Sequence, residues 1–319
     1  MEHLKFFKEV NKDSVAEAGG KGASLGEMTG AGIPVPPGFV VLANAFDRFL
    51  EETDLNQEID ARIKEVNPGD MNSVDRASNI IQDVIHDTPM PDDLAKEILT
   101  AFDELGAEHV AVRSSATAED SSIASWAGEL DTFLNTTRDT VAEQVKNCWA
   151  SLFTPRAIFY RYEKNLHDQY VSVAVVVQKM IQSEISGIAF TVHPVTEDRD
   201  QMIIEAGFGL GEAIVSGQIT PDSYVVSKSE MSILDINIGH QIQKLIRKED
   251  FDHHEKNHWI ELKEEGEKQK LSGRQIITVA EMCKRIESHY KFPCDIEWAM
   301  ENGELYLTQS RPITTLKQV

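Results

Sequence analysis

The run YVSVAVVVQKMI, residues 170–181, is the most strand-like stretch of this chain. Its β-branched residues favour extended backbone. From Asn44 to Leu105, in contrast, segments such as NQEIDARIKEV and PDDLAKEILTAFDEL repeat their apolar residues at helical spacing. Further strand-like runs follow at 186–192 and 201–217. Because strands and helices are mixed rather than strictly alternating, the sequence predicts an α+β fold.

Three more helices are predicted beyond residue 136. Two of them span about 137–152 and 155–166. The third is expected to begin at TVAE, residues 278–281, which has the spacing of a capping box, and to run to Tyr290.

The charge of the chain restricts its partners. The 319 residues carry a formal net charge of −22, which argues against duplex nucleic acid or an anionic membrane as the main partner. There is no apolar run long enough for a membrane span and no signal-peptide pattern at the start. The cysteines Cys148, Cys283 and Cys294 lack metal-binding spacing. We therefore expect reduced thiols in a cytoplasmic protein.

Two stretches could bind phosphate through local positive charge. In GGKG, residues 19–22, glycines allow close approach of the backbone and Lys21 adds a cation. In VRSSATAED, residues 112–120, Arg113 ends a strand and precedes small hydroxyl-bearing residues. Each stretch alone also fits a plain glycine turn or a surface loop with a paired arginine.

A third stretch, VVQKMI at residues 176–181, suits an adenine slot, because a buried strand that ends in a polar residue can offer backbone groups to a base. A core strand that reaches the surface is an equally good interpretation.

The segment DIEWAMENGELYLTQSR, residues 295–311, reads as a β-hairpin around Asn302-Gly303. Asp295 and Glu297 share one face of the first strand, and Gln309 and Arg311 share one face of the second. Carboxylate and amide oxygens suit Mg²⁺, and an arginine can stabilise phosphoryl charge. A solvated hairpin at the edge of a sheet is the alternative.

The length of the hairpin loop decides whether these side chains meet. A two-residue loop pairs Met300 with Leu305 and turns Gln309 to the wrong face. A three-residue loop, Glu301 to Gly303, pairs Asp295 with Gln309. A metal site requires the longer loop or a bulge elsewhere.

Taken together and in order, these motifs resemble a known family. GGKGASLGEM, GIPVPPGF, VRSSATAED, AGELDTFLN, VVVQKM, GLGE and DIEWA…QSRP are similar to the N-terminal nucleotide-binding domain of the phosphoenolpyruvate synthase and pyruvate, phosphate dikinase family, which rifampin phosphotransferases share. The resemblance spans about residues 14–315. It implies an ATP-grasp-like fold with two subdomains closing on a nucleotide cleft, which we place at 1–180 and 181–319.

The resemblance also implies roles for particular residues. Lys21, Arg113 and Arg311 are expected to contact phosphates and to be the catalytic residues. Gly128, Thr132 and Gln178 are expected to line the nucleotide. Glu297 and Gln309 match the Mg²⁺ ligands, with Asp295 as a helper. On this ground the three-residue hairpin loop is the one predicted here.

The function that the resemblance implies is the ATP half of a dikinase. ATP and Mg²⁺ are the expected cofactors, and a phosphohistidine carrier domain, in cis or in trans, and a small acceptor such as pyruvate are the expected partners. None of the ten histidines lies in the expected carrier motif. The alternatives are a rifampin-type antibiotic phosphotransferase and a non-catalytic nucleotide-sensing module.

Overall fold

The computed structural model describes residues 2–117, 130–166, 171–247, 257–314 and 316. Contacts between residues divide the chain into two compact units. Unit 1 comprises Met1–Gly30 and Pro37–Met180, and unit 2 comprises Ala31–Pro36 and Ile181–Val319. The predicted division at residue 180 stays a proposal about domains, and each unit is described by itself.

Unit 1 is built around an antiparallel sheet. Its described strands are β1 (Leu4–Phe6), β2 (Gly38–Val41), β3 (Val110–Ala116), β4 (Thr132–Thr136) and β5 (Val173–Lys179), in the order β1-β2-β5-β3-β4. Its described helices are α1 (Val15–Gly30), α2 (Ala43–Glu52), α3 (Leu55–Lys64), α4 (Met71–Asp87), α5 (Asp92–Leu105), α6 (Val141–Ala150) and α7 (Pro155–Glu163). The valine-rich run predicted as a strand is thus β5, in the middle of the sheet.

The two faces of this sheet pack differently. Val112, Val175 and Val177 point into the main apolar core, where Phe46 and Phe49 of α2 lie against Trp149 of α6. The opposite face packs against α1. Burial on both faces explains why β5 is apolar at almost every position.

Unit 2 contains a larger antiparallel sheet. Its described strands are β6 (Ile185–Phe190), β7 (Gln201–Phe208), β8 (Asp222–Ser227), β9 (Ser232–Asn237), β12 (Cys294–Glu301) and β13 (Glu304–Pro312), in the order β13-β12-β6-β7-β8-β9. The strands β10 (Gln243–Arg247) and β11 (Asn257–Glu261) form a separate hairpin. The described helices are α8 (Glu212–Val215) and α9 (Gly273–Tyr290).

One face of the larger sheet forms a core with α9, and the other stays half open. Tyr224, Ile296 and Trp298 on the first face are almost fully buried. Ile188 and Glu297 on the other face are only half-buried. We call this second face the open face. Functional side chains in unit 2 are therefore expected there.

The described strands and helices confirm the predicted α+β class. The predicted start of the last helix is wrong. α9 begins at Gly273, because the Ser272 hydroxyl accepts a hydrogen bond from the Gln275 backbone N–H and the Gln275 side chain caps Ser272 in return. Thr278 lies inside the helix and donates to the Arg274 carbonyl.

No helix among the described residues is long and apolar enough to cross a membrane. Each of the three cysteines is a free, buried thiol.

Candidate functional site

The glycine motif near the start of the chain lies against the end of β3. Gly19 breaks the α1 segment with φ +68°, and a Cβ there would come within 2.3 Å of the Ser115 carbonyl oxygen. The Ser115 hydroxyl donates to the Ala18 carbonyl and accepts from the Gly22 N–H. Only glycine fits at position 19. These contacts place Lys21 beside the strand that carries Arg113.

Arg113 lies on the face of the sheet that packs against α1. It is 8% exposed, and its guanidinium donates to the Gln178 amide oxygen on β5 at 3.3 Å. Thr132 is opposite Arg113 on β4 and is exposed. The structure therefore brings Arg113, Thr132 and Gln178 together on one face of unit 1. Gly128 lies outside the described residues.

Two further charged residues belong to this region. Burial raises the pKa of the Asp131 carboxyl, and the charge of Arg156 partly offsets this shift. Asp131 and Lys21 also both act electrostatically on the Cys148 thiol, whose pKa burial raises to about 12. The sequence analysis gave neither Asp131 nor Arg156 a role, although Asp131 lies in the motif AGELDTFLN.

The hairpin in unit 2 has a two-residue turn, so the predicted three-residue loop is wrong. Met300 pairs with Leu305 and Glu301 pairs with Glu304. Asn302 and Gly303 have φ of +53° and +79°, the signs of a type I′ turn, which suits the twist of a hairpin.

A β-bulge nevertheless brings the predicted ligands face to face. The register shifts between Glu297 and Trp298, so that Trp298 pairs with Leu307 while Glu297 pairs with Gln309. Thr308 is the extra residue. Directly paired residues point to the same face of a sheet, with Cβ atoms about 5 Å apart. The bulge thus places Gln309 on the same face as Glu297, which was the effect expected of the longer loop.

The next pair of this hairpin forms a salt bridge. Arg311 is opposite Asp295, and its Nε and Nη2 atoms lie 2.8 and 2.7 Å from Oδ2 of Asp295. Burial raises the pKa of the Asp295 carboxyl, and Arg311 lowers it in part. Asp295 therefore contacts the arginine, and its predicted help to a metal stays a prediction.

The donor atoms of the hairpin fit Mg²⁺. One carboxylate and one amide oxygen face each other, and Mg²⁺ commonly takes a few protein oxygens and completes its shell with phosphates and water. Among the described residues no group of three His, Cys, Asp or Glu side chains forms a metal cluster. Such a small ligand set is suited to a metal that arrives with its phosphates.

Comparisons with known proteins identify the family of the chain. The sequence profile of the pyruvate phosphate dikinase AMP/ATP-binding domain matches residues 15–319. A probable phosphoenolpyruvate synthase from Methanothermobacter thermautotrophicus is 45% identical over 323 residues, covering 99% of this chain and 46% of that protein. A phosphoenolpyruvate synthase from Pyrococcus furiosus is 41% identical over 365 residues, covering 99% of this chain and 44% of that protein.

The chain thus belongs to the pyruvate phosphate dikinase AMP/ATP-binding domain family, as its motifs predicted. It spans less than half the length of these curated relatives. Among solved structures, D-alanyl-alanine synthetase A from Vibrio cholerae matches 74% of this chain and 54% of its own, with a TM-score of 0.28 and 12% identity. That likeness is too weak to carry an argument.

Proposed function

We propose that this chain binds Mg·ATP and forms the ATP half of a dikinase of the phosphoenolpyruvate synthase type. The observation that carries the proposal is the bulged hairpin, which opposes Glu297 to Gln309 and Arg311 to Asp295 on one face. Metal-liganding oxygens and a cation lie side by side there, as a polyphosphate requires.

Each group has a part in this proposal. Glu297 and Gln309 hold the Mg²⁺ that accompanies the nucleotide, and the metal supplies charge neutralisation to the phosphates. Arg311, oriented by Asp295, faces the transferring phosphoryl group. In unit 1, Lys21 and Arg113 neutralise phosphate charge, while Gly128, Thr132 and Gln178 line the nucleotide. Such sites act mainly by positioning and electrostatics.

The complete reaction requires parts that the matched relatives are long enough to contain. We propose that ATP, pyruvate and water give phosphoenolpyruvate, AMP and phosphate through a phosphohistidine on a carrier domain. The names of the matched relatives favour this acceptor over rifampin. The buried free thiols support the proposal of a cytoplasmic protein.

Calorimetry of ATP binding in the presence of Mg²⁺ tests the site. Glu297→Ala and Arg311→Ala are each expected to weaken binding about tenfold or more, since charge-assisted contacts are worth about 1.5–3 kcal/mol. Glu304→Ala and Arg274→Ala remove exposed charges elsewhere in unit 2 and serve as matched controls. Unchanged affinity in both site variants would refute the assignment.

Catalytic competence is tested separately. The chain is mixed with a phosphohistidine carrier domain from a phosphoenolpyruvate synthase and γ- or β-labelled ATP. Transfer of label from the β position to the carrier supports the dikinase. ATP binding without any transfer favours the nucleotide-sensing alternative.

A further inference from the structure

A further carboxylate, Glu205, lies in the same cross-strand row as the proposed metal ligands. By row we mean the residues that pair with one another from strand to strand, here Gln309, Glu297, Ile188, Glu205 and Ser223. Glu297 on β12 pairs with Ile188 on β6, and Ile188 pairs with Glu205 on β7. Since paired residues share a face, Glu205 lies on the open face with Glu297 and Gln309. Its strand is two strand spacings, about 10 Å, from β12.

Nothing in the described part of the chain compensates the charge of Glu205. The residue is half-buried, and no hydrogen bond or salt bridge reaches its carboxylate there. Burial alone raises its pKa. Asp295, on the same face, has Arg311 as its partner. A half-buried carboxylate without a partner costs folding free energy, so a role in fold stability does not account for it.

The surroundings of Glu205 indicate what it can bind. The half-buried residues Ile188 and Ser223 flank it in the row, one apolar and one a hydroxyl. A carboxylate repels phosphate, so the phosphates themselves are poor partners. A cation at Glu205 would also lack a second ligand of the kind that Gln309 offers at Glu297, because the residues paired directly with Glu205 are Ile188 and Ser223. Hydroxyl groups remain, because two carboxylate oxygens accept from two neighbouring hydroxyls.

A nucleotide offers such a hydroxyl pair on its ribose. The C5′ carbon and the α-phosphate separate the ribose hydroxyls from the β- and γ-phosphates, by a span of the same order as the distance of about 10 Å between β7 and β12. The apolar side chain of Ile188 between them leaves no charged competitor in the row. A carboxylate that accepts from ribose hydroxyls is a recurrent solution in nucleotide-binding sheets.

We propose that Glu205, with Ser223 beside it, binds the ribose hydroxyls of the nucleotide and makes the site selective for ribonucleotides. The proposal rests on the proposed binding of ATP at Glu297 and Gln309. It adds a residue that determines sugar specificity to that site.

The test compares ATP with 2′,3′-dideoxy-ATP, both with Mg²⁺, by calorimetry on the whole chain. The wild-type protein is expected to bind ATP about tenfold more tightly, the effect of hydrogen bonds to a charged acceptor. Glu205→Ala is expected to lose that preference while its affinity for the dideoxynucleotide stays unchanged. Glu205→Gln keeps the shape of the side chain but is a weaker hydrogen-bond acceptor. Its preference for ATP over the dideoxynucleotide is expected to lie between those of the wild type and of Glu205→Ala. Glu304→Ala is the control glutamate.

The outcomes separate this inference from the function on which it rests. Absence of ATP binding by the wild type would overturn both. Equal wild-type affinity for ATP and the dideoxynucleotide would overturn the ribose assignment alone. A loss of affinity for both nucleotides in Glu205→Ala, with a higher Mg²⁺ requirement, would also overturn it and would indicate a cation ligand. Thermal melts of both Glu205 variants report whether each is folded.

Discussion

Removal of the Arg311 side chain should affect stability and nucleotide binding through different partners. Two guanidinium nitrogens lie 2.7 and 2.8 Å from the same Asp295 oxygen. The Asp295 side chain is 13% exposed and that of Arg311 is 35% exposed. Arg311→Ala therefore leaves a mostly buried carboxylate without its cation. A fully buried pair would cost about 3–5 kcal/mol, but the exposure of Arg311 reduces this to roughly 1–2 kcal/mol.

A double-mutant cycle measured by urea unfolding checks this magnitude. Asp295→Asn removes the charge that Arg311 compensates, so the double variant should recover most of the lost free energy of unfolding. Its affinity for Mg·ATP should stay low, because the cation that faces the phosphates is still missing. Recovery of both properties would show that Arg311 acts only through Asp295. A coupling free energy near zero would refute the structural reasoning.

The pH dependence of Arg311→Ala follows from the Asp295 pKa, which burial raises. Arg311 lowers that pKa, so its removal raises it further. A carboxyl group whose folded pKa is raised loses stability as the pH rises through that value. The destabilisation by Arg311→Ala should therefore be largest near neutral pH and should shrink as the pH falls toward 4. An equal loss at pH 4 and pH 7.5 would contradict the electrostatic explanation.

Three other changes test the rest of the structure. Deletion of Thr308 should remove the bulge and leave a regular ladder that keeps Gln309 on the open face, so the Mg·ATP affinity should stay within about threefold of the wild-type value. An alanine inserted after Thr308 should disturb the pairing of Gln309 with Glu297 and weaken Mg·ATP binding at least about tenfold. Equal calorimetric affinities for the two variants would contradict the register. Gly19→Ala should cost more than about 2 kcal/mol in urea unfolding because it clashes with backbone, while Gly106→Ala, at φ +63° in open space, should cost about 1 kcal/mol. Glu205→Gln should raise the free energy of unfolding by up to about 1 kcal/mol at pH 7.5, because it removes a half-buried charge. Burial raises the pKa of Glu205, so the carboxyl group becomes neutral as the pH falls and the gain should vanish toward pH 4. A gain that is independent of pH would argue against an uncompensated carboxylate.

The fold class was predictable because it depends on long segments. The valines of β5 and the helical spacing from Asn44 to Leu105 each extend over many residues, so local exceptions do not change the outcome. The start of α9 could not be predicted in this way, because Ser272 and Thr278 are both followed three residues later by a residue that can complete a capping box. In the structure Ser272 is the N-cap, and Thr278 lies inside the helix.

The hairpin shows where sequence reasoning stops. The chemistry of Glu297, Gln309 and Arg311 suggested a metal and phosphate site, and the Asn-Gly pair marked the turn. The loop length was wrong, since the correct face was reached through a bulge at Thr308 rather than through the turn. A threonine at position 308 does not by itself predict a bulge. The register of β12 and β13 depends on the packing of Trp298 and Leu307 in the core. The alignment of Glu297 with Glu205 across the sheet likewise depends on the strand order β12-β6-β7, which the sequence pattern does not specify.

The segment Ala31–Pro36 belongs by its contacts to unit 2, far from that unit in sequence. The Pro34 carbonyl accepts a hydrogen bond from the Leu307 N–H of β13, and Arg285 of α9 donates to the carbonyls of Ala31 and Gly32. Since β13 is an outer strand of its sheet, this short proline-rich piece shields an edge that could otherwise recruit a foreign strand. A fragment that starts at residue 181 would lack this cover and should aggregate, and addition of a GAGIPVPPG peptide should delay its precipitation.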